Sequence, residues 1–148
     1  MSWLKAIKSK LKIKKKKKNS DKSLKLEEDS ERYKTYITNV YKEQGYTVWE
    51  YNRDKKIKDE KGGLHLVLKK RKDILFVHCR YICEDITLGN IASFESEVED
   101  FIEEFDIFKS YNIKLRYTMA GLFLEESAYK YIKNHSTDID YDIIKIDT

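Results

Sequence analysis

Apolar positions along the chain switch several times between a helical and a strand period, and the switches mark out the elements. Tyr33, Tyr36, Ile37, Val40 and Tyr41 recur at helical spacing. They predict a helix from Asp29 or Ser30, either of which can cap it, to about Gln44. Gly45 ends it as a left-handed cap residue. A strand over 46–51, with Val48 and Trp49, follows. Gly62-Gly63 opens a second strand over 64–69, in which alternation puts Leu64, Leu66 and Leu68 on one face and His65 and Val67 on the other. Lys69-Lys70-Arg71-Lys72-Asp73 is a polar turn, and a third strand over 74–82 completes a hairpin. Leu75, Val77, Cys79 and Tyr81 share one of its faces; Ile74, Phe76, His78, Arg80 and Ile82 share the other. Polar groups therefore stand inside otherwise apolar strands.

Residues 87–105 predict a second helix with a buried stripe of Ile91, Phe94, Val98, Phe101, Ile102 and Phe105. Its opposite face is acidic, with Glu95, Glu97, Glu99, Asp100, Glu103 and Glu104, and no Lys or Arg occurs from residue 81 to 108. A strand over 113–119, a helix over 123–134 carrying Phe123, Ala128, Tyr131 and Ile132, and a last strand over 141–146 complete the chain. The order αβββαβαβ predicts an α/β domain with a mixed sheet and helices on its faces.

The first 25 residues follow another pattern. Trp3, Leu4, Ile7 and Leu11 fall on one face of a short helix over 1–13, with Lys5, Lys8 and Lys12 opposite. Lys14, Lys15, Lys16, Lys17 and Lys18 form an unbroken block that cannot enter a core, and the stretch through Ser23 reads as a linker. The 148 residues thus divide into a basic tail, 1–25, and one folded body, 26–148. The tail holds eleven lysines and one acid, a local charge of +10; a whole-chain charge of +4 leaves −6 on the body. Two cysteines, Cys79 and Cys83, are too few for a disulfide framework and predict a reducing, cytoplasmic setting. No apolar run approaches the ~18 residues of a membrane span, and lysines interrupt any signal-peptide pattern at the start.

Several strings resemble, in order, the Mrr-type branch of the restriction-endonuclease-like fold, the PD-(D/E)xK nuclease superfamily. They are Glu43-Gln44-Gly45-Tyr46-Thr47-Val48, Gly62-Gly63-Leu64-His65-Leu66-Val67, Phe76-Val77-His78-Cys79-Arg80, and Arg116-Tyr117-Thr118-Met119-Ala120-Gly121-Leu122-Phe123. The likeness spans roughly residues 30–146 and implies a restriction-endonuclease-like αβββαβ core. It also implies Mg²⁺-dependent cleavage, in which strand and helix carboxylates hold the metal and a third-strand lysine assists. Here the pattern departs from the family. The Gly-Ile-Asp string becomes Gly63-Leu64-His65, the Gln-Cys-Lys string becomes His78-Cys79-Arg80, and the first-helix glutamate falls on Lys34 after Tyr33.

Mg²⁺ wants oxygen ligands. His65, His78 and Arg80 share a face of adjacent strands and make a neutral-to-positive cluster that repels it. The same cluster suits a phosphate, with Arg80 as the fork donor. The expectation is therefore nucleic-acid binding without classical cleavage and without a cofactor. The enzymatic alternative brings Asp59, Glu60 or Glu31 into the site to hold Mg²⁺ or Mn²⁺ and makes the chain a divergent nuclease. The plainer reading makes His65 and His78 two polar residues on a half-exposed sheet face. Zinc has little support, because Cys79 faces away from His78 and no second ligand pair has recognisable spacing. Between Val77 and Tyr81 the Cys79 thiol reads as buried and inert.

Arg53, Lys55, Lys56, Lys58, Lys61 and the run Lys69, Lys70, Arg71, Lys72 gather in loops around the hairpin. They read either as solvated loop charge or, with Arg80, as a surface that tracks a nucleic-acid backbone. The tail has three readings: docking on an anionic membrane at the inner surface through residues 1–18, sequence-independent nucleic-acid binding, or a solubilising arm. Trp3 favours the membrane. The membrane reading makes the chain an adaptor. The acidic helix offers a face to a basic partner or to the chain's own tail, and the family resemblance adds a homodimer.

Overall fold

The computed structural model describes residues 21–51, 63–81 and 85–146, with no side-chain description for 21–27. The order is α1 (Asp21–Glu43), β1 (Thr47–Glu50), β2 (Leu66–Lys70), β3 (Asp73–Arg80), α2 (Leu88–Glu104), a 3₁₀ turn (Asp106–Ser110), β4 (Asn112–Met119), α3 (Glu126–Asn134) and β5 (Ile139–Ile143). The order αβββαβαβ expected for the body is thus present, with the 3₁₀ turn added, α3 starting three residues later than expected and β5 lying at 139–143 instead of 141–146; the helix expected over 1–13 lies outside the described residues.

The first helix begins earlier than its predicted cap. Residues 21–28 contain neither Gly nor Pro and are mostly good helix formers, so nothing stops the helix there. Asp29 lies within the helix and pairs with Arg32 at 3.5 Å. The other end is as expected. Gly45 has φ +99°, its N–H donates to Lys42 O and the Tyr46 N–H donates to Tyr41 O, the paired bonds of a Schellman cap. The Tyr41 and Tyr46 rings meet edge to face at 5.8 Å across it. Thr87 caps α2: its side chain accepts from the Asn90 N–H while the Asn90 side chain accepts from the Thr87 N–H.

The five strands lie in sequence order, β1-β2-β3-β4-β5. β2 is antiparallel to both neighbours, whereas β3, β4 and β5 run parallel. Helices cover both faces. On one, Tyr33, Ile37 and Tyr41 of α1 pack against Leu66, Leu68, Leu75, Val77 and Cys79. On the other, Ile91, Phe94, Val98 and Phe101 of α2, with Ala128 and Ile132 of α3, pack against Val67, Ile74, Phe76, Tyr117 and Met119. Leu64 departs from its predicted face and belongs to this second cluster. Leu66 pairs with Val77, yet the His65 N–H also donates to Val77 O at 2.9 Å, so two residues oppose one. That bulge reverses the alternation ahead of Leu66.

Among the described residues α1 packs mainly on β2 and β3; it reaches β4 through the Tyr41 and Thr118 hydroxyls, 2.8 Å apart, and the segment after β5 through Tyr33, which donates to Ile144 O. Lys114, Arg116 and Thr118 stand on the α1 side, because their register partners Leu75, Val77 and Cys79 do. Arg116 grips Asp140 of β5 with two bonds, at 2.7 and 3.1 Å. No described helix is long and apolar enough to cross a membrane.

Candidate functional site

The bulge at the head of β2 sets the geometry of the two strand histidines. It turns His65 toward β3, where its ring stacks on His78 with centroids 4.4 Å apart and planes 24° from parallel. The His65 Nδ1 accepts the Cys79 backbone N–H at 2.9 Å. The imidazole thereby replaces a ladder carbonyl just ahead of the first residue of β2. A ring nitrogen that accepts must be unprotonated, so the proton of neutral His65 sits on Nε2. His78 has the opposite arrangement: its Nδ1 lies 2.6 Å from Gly63 O and donates, leaving the lone pair on Nε2. Burial of the His65 ring, and then the neighbouring His78, Lys34 and Arg80, hold its pKa well below the ordinary histidine value.

Positive groups close in from two sides. Lys34 of α1 is 9% exposed and sits between Glu31, at 3.2 Å, and Glu50 of β1, at 3.3 Å. Burial works to lower its pKa, but the two carboxylates outweigh that and hold it above the ordinary lysine value. Arg80 is also 9% exposed, lies opposite Met119 in the ladder, and accepts the Ala120 N–H at its carbonyl. Cys79 packs on the α1 side, and burial pushes its thiol up to about 12. That makes it a poor nucleophile at neutral pH.

The structure changes the surface expected here. His78 has no exposed area and is enclosed by His65, Phe94 and Tyr117. His78 and Arg80 therefore line the interior, whereas His65 is half-buried. The sheet face is not half-exposed, because α2 covers it. Glu97, expected on the solvated acidic face of that helix, is buried, and its carboxylate accepts the Leu64 N–H at 3.2 Å. Glu95 stays at the edge and accepts from the Tyr131 hydroxyl at 2.8 Å.

The basic run of the hairpin is remote from this cluster. Lys69 and Lys70 end β2 beside the first residues of β3, Arg71 and Lys72 form the loop between, and Arg80 ends β3. At ~3.3 Å per residue the strand separates them by about 23 Å. A single surface joining Arg80 to these lysines is therefore corrected to two regions. Lys69 places its ammonium 5.5 Å from the Tyr111 ring, and Lys70 donates to Gln44 O at 2.8 Å above the Tyr46 ring. Arg53, Lys55, Lys56, Lys58, Asp59, Glu60 and Lys61 lie outside the described residues, as do Cys83 and the tail positions Trp3, Leu4, Ile7, Leu11 and Lys14 to Lys18.

Sequence reasoning passed over Glu50, the buried role of Glu97, and the Arg116–Asp140 pair. The last had a visible signal, since Lys114, Arg116 and Thr118 alternate with apolar residues along β4 as an open-faced strand does. Glu50 had none, because its partner Lys34 comes from a different element.

The donors at the positions where the resemblance expects metal ligands do not fit a hard divalent cation. An ammonium, Lys34, stands at the helix position; Arg80 falls where the resemblance expects a lysine and is not a ligand position. The imidazole on the β2 side has one nitrogen accepting from Cys79 and its proton on the other. Among the described residues no three His, Cys, Asp or Glu side chains are grouped as ligands. Comparison with known proteins gives no match: no family model fits the chain, and no curated protein or solved structure matches it.

Proposed function

We propose that this chain is a nucleic-acid-binding protein of the Mrr-like restriction-endonuclease fold in which classical Mg²⁺-dependent cleavage has no place. The order α1-β1-β2-β3-α2-β4 supports the fold reading, since it runs αβββαβ. One observation carries the loss of metal chemistry. His65, at the position of the expected aspartate, gives its lone pair to the Cys79 N–H and serves the sheet instead of a cation. Lys34, at the position of the expected glutamate, occupies the space between Glu31 and Glu50 with its own charge. What persists from the nuclease plan is a scaffold with cationic loops, and a polyanion is the partner that such charge attracts without base readout.

The test is a plasmid gel with the full chain and Mg²⁺ or Mn²⁺. A retarded but uncut plasmid is the expected result. Nicking that disappears in His65→Ala and Lys34→Ala would show a working centre and overturn the reading.

A further inference from the structure

We propose that the tip of the β2–β3 hairpin, Arg71-Lys72, is the contact the folded body makes with a nucleic-acid phosphate backbone, with Lys69 and Lys70 as its mount. The inference rests on the nucleic-acid reading above and gives it a location. Lys70 and Asp73 are the last pair of the β2–β3 ladder, so Arg71 and Lys72 alone form the loop.

The four cations of this run have different surroundings. Lys70 reaches back to the end of α1, where it donates to Gln44 O and covers Tyr46. The carbonyl end of a helix favours a cation there. Lys69 turns to the other side of the sheet and covers Tyr111, just ahead of β4. The tip is thus fastened on both sides. The strands behind it are stiff as well, since Leu66, Val67, Leu68, Ile74, Leu75 and Phe76 are all buried. Arg71 and Lys72 project into water.

Arg71 has φ 59°, among the described residues the one positive φ outside glycine. Two-residue hairpin loops place Gly, Asn or Asp at such positions, because a larger side chain is strained there. A chain that needed only to turn would be more comfortable with glycine. The arginine brings to the apex a planar fork that takes two phosphate oxygens at once, and Lys72 adds a second point charge.

The surface continues in kind beside the tip. A cavity of ≈ 270 Å³ opens next to Asp73 on the α1 side of the sheet, lined in part by Tyr46, Asn112, Lys114, Arg116 and Thr137. Lys114 and Arg116 both lean on the single carboxylate of Asp140, so this trio keeps a net positive charge. Asp73 is the acid of the lining, and its carboxylate accepts from the Asn112 amide at 3.1 Å. Two cations and the half-buried Tyr46 ring thus extend from the tip onto β4, a combination suited to a backbone followed by a base.

The test uses the full chain, a short fluorescein-labelled DNA duplex and the matching single strand, followed by anisotropy over a range of NaCl concentrations. Each variant is made both in the native tail and with Lys14 to Lys18 replaced by Gln, so that tail binding does not mask the tip. Arg71→Gly with Lys72→Ser is expected to weaken binding about tenfold at low salt. It should also reduce the slope of log K against log[salt] by about 1.8 on the duplex and about 1.4 on the single strand, from two lost phosphate contacts. The melting temperature should hold or rise. Lys69→Gln should instead lower the melting temperature and leave the slope nearly unchanged. Unchanged affinity and slope in the double variant would overturn the proposal. So would loss of binding accompanied by a lower melting temperature, which would assign the pair to the fold. No binding by the unsubstituted chain would overturn the nucleic-acid reading itself, and this inference with it.

Discussion

The two ends of β3 handle charge in opposite ways. At its carboxyl end, Lys34, His65, His78 and Arg80 are drawn into the protein and given internal work: one imidazole caps a strand amide, and the ammonium bridges two acids. At its amino end, two of four consecutive cations are anchored to rings and a helix terminus, and the other two face solvent. The fold stores its polar groups at the first end and presents them at the second. A polar residue type inside a nuclease-like pattern is therefore not by itself a sign of chemistry. What distinguishes the two ends is burial: the first set is largely enclosed by the protein, and the tip of the second faces water.

The sharpest way to break this contrast is to remove a stored group. His78→Ala deletes a ring packed against His65, Phe94 and Tyr117 and withdraws the donor to Gly63 O. Cavity and lost hydrogen bond together should cost about 3 kcal/mol, read as a lower urea midpoint with an unchanged slope. A change under about 1 kcal/mol would mean that the cluster is not part of the core.

Proton uptake tests the same end more gently. The pKa of His65 is held down in the folded chain, so the unfolded chain binds a proton first as pH falls. The contribution of His65 is complete above the unfolded value near 6.5 and drains away below it. Stability should therefore fall from pH 7 to pH 5 by about 1–2 kcal/mol more in the native chain than in His65→Asn. The asparagine keeps an acceptor for the Cys79 N–H without titrating. Parallel pH profiles would show that His65 is not the sensor.

Lys34→Met should have a smaller effect. Its partners are 64% and 46% exposed, so water takes up much of what the ammonium gave them, while the methionine stem fills the same space. The change expected in the urea midpoint corresponds to less than about 1 kcal/mol. A large loss would mean that the Glu31–Lys34–Glu50 bridge holds α1 to β1.

Most of the fold was legible in the sequence, because apolar periodicity and capping chemistry are local. Thr87 with Asn90, Gly45 after the tyrosine stripe, and the Lys70–Asp73 turn each fix a boundary from a few neighbouring residues. The site was less legible because its geometry depends on a non-local event. The bulge at His65 and Leu66 arises only when β2 meets β3, and it turns Leu64 to the other face and His65 toward Cys79. Burial of Glu97 and His78 likewise depends on where α2 lies. The alternation of polar residues along β4 was visible, but its meaning depends on how far α1 reaches over that face.

The presented end makes the smallest prediction in stability and the most discriminating one. Arg71→Gly removes a side chain that touches little and relieves a left-handed backbone, a gain of about 1–2 kcal/mol for an L residue. Glycine also adds freedom to the unfolded chain, which opposes folding by about 0.5–1 kcal/mol. The two effects oppose each other and leave a remainder of zero to about 1.5 kcal/mol in favour of the variant. A urea titration that shows Arg71→Gly equal to or above the native chain places the cost of the arginine outside folding. A loss of more than about 1 kcal/mol would mean that the guanidinium is stored like the groups at the far end of β3, and the contrast between the two ends would disappear.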